Sequence, residues 1–309
     1  MNRILTIDQG TTSSRSIIFD INGGIEQVAQ EEYPLIFPND GWVEIDPEAL
    51  YKSVTNTLNQ LDLEGIKFGG ITNQRETTII WDKNTLEPIY NAIVWQDRRT
   101  SEYCSELATD HNKSIVKEKT GLLIDSYFSA TKIKWILDNV QGARAKAEAG
   151  ELCFGTVDTY LMYRLSAGEI FKTDITNASR TMLFNINNLT WDDELLKLFD
   201  IPKSLLPEVV HSDSCFGSLS ELGDITIHAV LGDQQAALFG QGCLDKGQLK
   251  STYGTGCFVM SNVGDKPIHS DDGLLTTIGF SLNGKVYYAI EGSIYASGTT
   301  VQWLRDNLQ

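Results

Sequence analysis

The chain has 309 residues, 41% hydrophobic and 21% charged, which excludes a disordered tail, a collagen-like repeat and a coiled coil and suits two domains or one large one. Its net charge of −16 argues against sequence-independent nucleic-acid binding and against docking on anionic lipid, since both need clustered Lys and Arg. A small anionic ligand is not excluded, because a local site can oppose the global charge.

The first thirty residues read as an antiparallel meander. Ile4–Ile7 and Ser16–Phe19 are β-rich, with a polar turn from Asp8 to Ser14 between them, and a third strand runs from about Ile25 to Tyr33 after the turn signal Asn22-Gly23-Gly24. Asp46-Pro47-Glu48 starts a helix, with Asp as N-cap and Pro in the first turn, and Leu50, Val54, Leu58 and Leu61 form its apolar face. Strands are expected at Gly69–Thr72 and Thr77–Trp81, and a helix over Ser129–Val140. Further on come a short strand at His228–Leu231 and a helix over Asp233–Phe239. Gln248–Thr252 and Cys257–Met260 then form a second strand–turn–strand around Tyr253-Gly254-Thr255-Gly256. A strand at Tyr287–Ile290 and a helix from Ile294 to Leu308 close the chain. Strands first, with helices alternating later, mean a mixed α/β fold. Two halves opening with the same unit suggest a duplication, the second half being cut short with no capping Gly after its last helix.

Five cysteines occur, widely spaced and without a C-x-x-C, and are expected to be free thiols in a reducing compartment. Four histidines form no H-x-x-x-H, which disfavours a zinc site. With no apolar run near the roughly 18 residues of a membrane span and no signal-peptide core at the N-terminus, a cytoplasmic location without a membrane span is expected.

No Walker A loop, complete G-x-G-x-x-G or G-x-S-x-G elbow is present, which disfavours a P-loop, a Rossmann dinucleotide site and an α/β-hydrolase. The two polar turns remain. Glycine lets backbone N–H groups approach a phosphate, and Thr and Ser add hydroxyl donors. Asp8 could hold Mg²⁺, which binds through one or two carboxylates plus phosphates. Each turn is also a common hairpin device. Arg75 and Glu76, leaving a strand end together, suit a polyol whose hydroxyls donate and accept, or form a plain ion pair. Asp233 at a strand-to-helix junction is a candidate base or an N-cap. Trp95 and Phe258 read first as core residues.

Six strings together resemble the FGGY carbohydrate-kinase family. They are Asp8–Arg15, Ile71–Thr78, Gly155–Thr159, Thr176–Met182, Gly232–Gly240 and Thr252–Cys257, in family order and across the whole chain. The resemblance implies an actin-like ATPase (ribonuclease-H-like) α/β fold in which two domains flank a cleft and phosphates are clamped between two hairpin turns. The first domain would be complete over residues 1–241 and the second partial over 242–309. It also implies the site. Thr11, Thr12, Ser13 and Arg15 would face ATP phosphates, with Thr255 opposite and Gly298 and Gln302 near the nucleotide. Arg75, Glu76, Tyr127, Asp233 and Gln234 would bind glycerol hydroxyls between Trp95 and Phe258, and Asp8 would place Mg²⁺.

Two departures from the family pattern stand out. The family's chains are longer, and their further part includes the glycine-rich segment that holds the adenosine. The stretch Ser212–Ile227 shows neither the Gly-Gly/Arg arrangement used for inhibition by a sugar bisphosphate nor the histidine loop phosphorylated in some bacterial relatives. The implied activity is ATP-dependent phosphorylation of glycerol to sn-glycerol 3-phosphate and ADP, with Asp233 as general base and a homo-oligomer possible. The alternatives are a pentulose kinase of the same family and a non-catalytic polyol-binding protein.

Overall fold

The computed structural model describes residues 3–223, 225–254 and 256–308, apart from the side chains of residues 299 and 302. The meander is present. Strand Ile4–Gln9 pairs antiparallel with Ser13–Phe19, which pairs antiparallel with Ile25–Glu32. The polar turn is shorter than expected, because Asp8, Gln9, Ser13 and Ser14 continue the strands. Helix Pro47–Asn59 packs against this sheet. Two of its hydroxyls, on Ser53 and Thr57, lie 2.7 Å from those of Ser14 and Ser16, so these strand hydroxyls are satisfied inside the core. Asp46 caps that helix through the N–H of Glu48, as expected.

Phe68–Asn73 runs parallel to the first strand, and Ile225–Gly232 runs parallel to Phe68–Asn73. The resulting six-stranded sheet has the meander on one side, two parallel strands beside its first strand, and Gly217–Leu219 at the far edge. A second, four-stranded antiparallel sheet joins Leu249–Tyr253, Cys257–Gly264, Lys285–Ile294 and Leu275–Leu282, in that spatial order. The opening hairpin repeats the first sheet's, but here the strand that follows in sequence, Leu275–Leu282, is separated from the hairpin by Lys285–Ile294. The repeat is therefore only partial at this point.

Other boundaries also differ from expectation. The strand after Arg75-Glu76 begins at Ile79, because Glu76 turns the backbone left-handed (φ 60°). Ile294 ends a strand, and the last helix starts at Gly298. The strand expected at His228–Leu231 extends back to Ile225 across a bulge at His228. Among the described residues, no helix is long and apolar enough to cross a membrane.

Asp158 lies fully buried beneath the sheet, accepting hydrogen bonds from Thr156 (2.6 Å) and Thr173 (2.8 Å). Burial, aided by the nearby Asp174, pushes its carboxyl up to about 7. Between the ordinary Asp value of about 4 and that value, the folded chain holds a proton that the unfolded chain has lost, so this group makes stability fall as pH rises. Asp158→Asn should remove that contribution. Urea midpoints at about pH 5 and pH 7 should differ less in the variant than in the wild type, and equal differences would exclude the group.

Candidate active site

The parallel register brings three chain segments to one edge. Gln9 and Gly232 both stand opposite Asn73, at the carboxyl ends of the three parallel strands. The residues that follow, Gly10-Thr11, Gln74-Arg75-Glu76 and Asp233-Gln234, therefore leave the sheet together. Such strand ends are where open α/β sheets bind ligands. The bulge at His228 contributes, since it sets which residue of its strand reaches the edge in register with Asn73.

A cavity of about 180 Å³ opens at this edge, lined by Arg75, Glu76, Asp233 and Gln234, with Trp95, Tyr127 and Phe258 as aromatic walls. Trp95 and Phe258 are each 7% exposed, so they are at once core and cavity wall. Their rings meet edge-on at 5.9 Å between centroids. The indole N–H of Trp95 donates to the Thr11 hydroxyl at 2.9 Å, tying this wall to the first turn. A larger cavity of about 660 Å³ lies against Trp95, Tyr127 and Tyr295.

Arg75 and Glu76 are both buried, with Arg75 Nε 3.8 Å from Glu76 Oε1, but each finds its closer partner elsewhere. Arg75 donates to both oxygens of Glu291 (2.6 and 3.1 Å), to Gln235 Oε1 (3.2 Å) and to the Tyr127 hydroxyl (3.2 Å). Arg180 donates to Glu76 Oε1 (2.6 Å) and to Glu291 Oε1 (2.8 Å). Two guanidiniums and two carboxylates thus form a closed, buried, neutral quartet. The flanking guanidiniums pull Glu291 down to about 2, against its burial, whereas burial leaves Glu76 above the usual carboxylate range. The left-handed backbone at Glu76 costs of order 1–2 kcal/mol. Its carbonyl accepts from Ser129 (3.1 Å), Thr78 (3.1 Å) and Lys132 (3.4 Å), which hold it there. Gly232 is required where it stands: an added Cβ would lie 2.7 Å from Arg75 Cγ.

Asp233 is the first residue of helix Asp233–Gly240, and Gly232 takes the N-cap position, so the Asp233 carboxylate is not the cap. Its side chain is 38% exposed, and its Oδ1 lies 3.5 Å from Arg75 Nε. Surrounding protein raises its pKa, while Arg75 and the Gln234 N–H groups oppose the rise. It is a carboxylate at the cavity wall with access to a ligand, which is what a general base requires.

The first turn is pinned from below. The carbonyl of Gly10 accepts from Gln74 Nε2 (3.0 Å) and Gln9 Nε2 (2.6 Å), and from the Tyr33 hydroxyl. This leaves Thr11 at the cavity, Thr12 exposed and Ser13 half-buried. Arg15 points along the meander and donates to Gln30 (3.0 and 3.2 Å). Asp8 sits opposite Arg15 across the hairpin. Its carboxyl is raised by burial and lowered by Arg15. Among the described residues nothing donates a hydrogen bond to it, and no cluster of three His, Cys, Asp or Glu forms a ready cation cage. A lone carboxylate beside a turn rich in hydroxyls has the chemistry that suits Mg²⁺, which keeps waters and is commonly held by one or two carboxylates plus phosphates. In the second turn, Gly254 accepts a hydrogen bond from the N–H of Gly298 (3.0 Å), so the last helix starts on that turn. Thr255 lies outside the described residues, as does the side chain of Gln302.

Sequence reasoning missed Arg180, Glu291 and Lys250. Each had a signal. Glu291 is a lone carboxylate in the apolar strand around Ala289-Ile290, and Arg180 sits inside a buried polar string. Lys250 inverts its strand's polarity, being buried beside an exposed Leu249.

Comparison with known proteins identifies relatives of this chain. Residues 3–240 match the N-terminal domain of the FGGY family of carbohydrate kinases, and residues 249–309 match its C-terminal domain. The chain belongs to that family. It is 57% identical to a glycerol kinase of Alteromonas mediterranea over 99% of its own length and 64% of the relative's. It is 53% identical to glycerol kinase 2 of Thermotoga maritima, over 100% and 64%. The crystal structure of Plasmodium falciparum glycerol kinase with ADP superposes with a TM-score of 0.93 at 39% identity, covering all of this chain and 64% of that one. A xylulose kinase of Lactobacillus acidophilus shares the fold, with a TM-score of 0.87 at 22% identity. The chain thus spans just under two thirds of the length of these relatives.

Proposed function

We propose that this chain phosphorylates glycerol with ATP, giving sn-glycerol 3-phosphate and ADP. What carries this is the cavity of about 180 Å³, in which Arg75, Glu76, Asp233 and Gln234 meet between Trp95 and Phe258. Its size and its mixture of donors and acceptors suit a small polyol, and the relatives that are more than half identical are named glycerol kinases. Arg75 and Gln234 donate to hydroxyl oxygens, Glu76 accepts, and the aromatic rings cover the carbon chain. Asp233 takes the proton of the terminal hydroxyl as that oxygen attacks the γ-phosphorus, and the terminal P–O bond to ADP breaks. Thr11, Thr12, Ser13 and Arg15 face the phosphates from one side, and the turn with Thr255, together with Gly298 and Gln302, from the other. Asp8 would hold Mg²⁺, which when bound offsets charge on the phosphoryl oxygens. Positioning and electrostatics supply most of the acceleration in such transfers. Residues 1–241 carry the first turn and the polyol residues other than Phe258, and 242–309 carry Phe258 and the second turn.

Glycerol-dependent ADP release, run beside a panel of pentuloses, tests this. Release with glycerol alone supports it, and release only with a pentulose replaces glycerol as the substrate. Arg75→Ala should raise the glycerol KM tenfold or more, since a hydrogen bond to a charged group is worth about 1.5–3 kcal/mol. An unchanged glycerol KM with a worsened ATP KM would remove Arg75 from the polyol site.

A further inference from the structure

Lys250 is a buried cation outside the quartet. Its strand exposes Leu249 and turns Lys250 inward, to 2% exposure. The ammonium donates to the Gln234 side-chain oxygen, to the Thr252 hydroxyl (2.9 Å) and to the Phe258 carbonyl (3.5 Å). All three acceptors are neutral, and among the described residues Lys250 forms no salt bridge. Burying a cation against neutral acceptors is costly, so its placement calls for an explanation beyond packing. The charged and titratable groups around it are Asp233 on the adjoining helix, Arg75 at the strand end, Glu291 two strands away in the same sheet and the Cys243 thiol. Burial and Arg75 lower its pKa to about 8.

The contact with Gln234 decides a matter of chemistry. A primary amide has one acceptor end and one donor end of nearly equal shape, so its neighbours choose which end faces which way. An ammonium only donates. It therefore takes the oxygen of Gln234 and turns the NH₂ group the other way. That group points to Asp233 Oδ2 at 3.3 Å, while the backbone N–H of Gln234 donates to Oδ1 at 2.7 Å. Both oxygens of Asp233 are thus met by donors of Gln234, and the side-chain donor is available at the cavity. Lys250 stands in the four-stranded sheet and Gln234 in the helix that follows the six-stranded one, so the contact crosses between the two sheets.

We propose that Lys250 is a positioning residue of the phosphoryl-transfer site: it locks the Gln234 amide with its NH₂ toward Asp233 and the cavity, and so fixes the donor that the polyol meets. This rests on the polyol-kinase reading above and adds a residue to it.

A double-mutant cycle on the whole chain tests the coupling. Lys250→Met should weaken glycerol binding, measured calorimetrically, by roughly tenfold, the usual effect of losing a charge-supported hydrogen bond. In a Gln234→Ala background the same replacement should add less than about twofold, because its effect passes through Gln234. Full multiplication of the two penalties would overturn the proposal. Gln234→Glu keeps a partner for Lys250, so it protects the fold, but it replaces the donor by an acceptor. It should bind glycerol at least as poorly as Gln234→Ala, and wild-type affinity would count against the proposal. One readout needs no glycerol at all. The side-chain amide protons of Gln234 should exchange with solvent more slowly in the wild type than in Lys250→Met. Equal exchange overturns the lock even where the wild type binds glycerol. Slower wild-type exchange in a chain that fails to bind glycerol leaves the lock standing and removes the polyol reading instead.

Discussion

Asp233→Asn is expected to lower kcat for glycerol phosphorylation by roughly 10²–10⁴, the range for losing a general base. The replacement keeps shape and removes the proton acceptor. The helix should survive, because Gly232 occupies the N-cap and the carboxylate serves no capping role. Arg75 should also stay in place, since it keeps its contacts to Glu291, Gln235 and Tyr127. The glycerol KM should therefore change much less than kcat. The raised pKa of Asp233 adds a second expectation: the acidic limb of the wild-type rate profile should lie above the ordinary carboxylate range, because the base must be ionised to act. Steady-state ADP release with circular dichroism as a control for folding would measure both. A variant with near wild-type kcat would take Asp233 out of the chemistry.

Much of this was legible in local sequence. The opening meander, the helix behind Asp46-Pro47 and the helix at Asp233 were set by turn residues, caps and apolar spacing, all of which act within a few residues. The strings around both turns and around Arg75 and Asp233 were long enough to carry a family resemblance, and the structure gathers Arg75, Glu76, Trp95, Tyr127, Asp233, Gln234 and Phe258 around one cavity. What local signals did not supply was set by partners far away in the chain. Ser13 and Ser14 read as turn because nothing nearby shows that Ser53 satisfies a strand hydroxyl. Ile294 reads as helix because its propensity is ambiguous, while its pairing partner, Cys257, is distant. Glu291 and Arg180 stayed anonymous for the same reason: Glu291 and Arg75 lie 216 positions apart in the chain, and only the juxtaposition of the two sheets makes them partners.

That juxtaposition makes Glu291 the residue whose loss should cost the fold most. Glu291→Ala would leave the guanidiniums of Arg75 and Arg180 buried with Glu76 as their remaining partner in the quartet. Breaking a buried pair from one side costs roughly 3–5 kcal/mol, because the partner charge stays desolvated. Arg180 has little room to adjust, since its Nη1 is already buried without an acceptor. A compensating change should recover part of the loss. Arg180→Met together with Glu291→Gln removes one charge of each sign, and its penalty should be smaller than the sum of the two single penalties. The acid response has a definite sign. Glu291 titrates at about 2 in the folded chain and near 4.3 when unfolded. Its ionised form therefore stabilises the fold fully above the unfolded value, and that contribution is lost as pH falls from about 4 toward 2. Glu291→Ala should lack this acid-labile part, so the gap between variant and wild type in urea midpoint should narrow across that window. A gap below about 1 kcal/mol at neutral pH, the scale of an exposed ion pair, would mean that the two sheets hold Arg75 in place without the quartet.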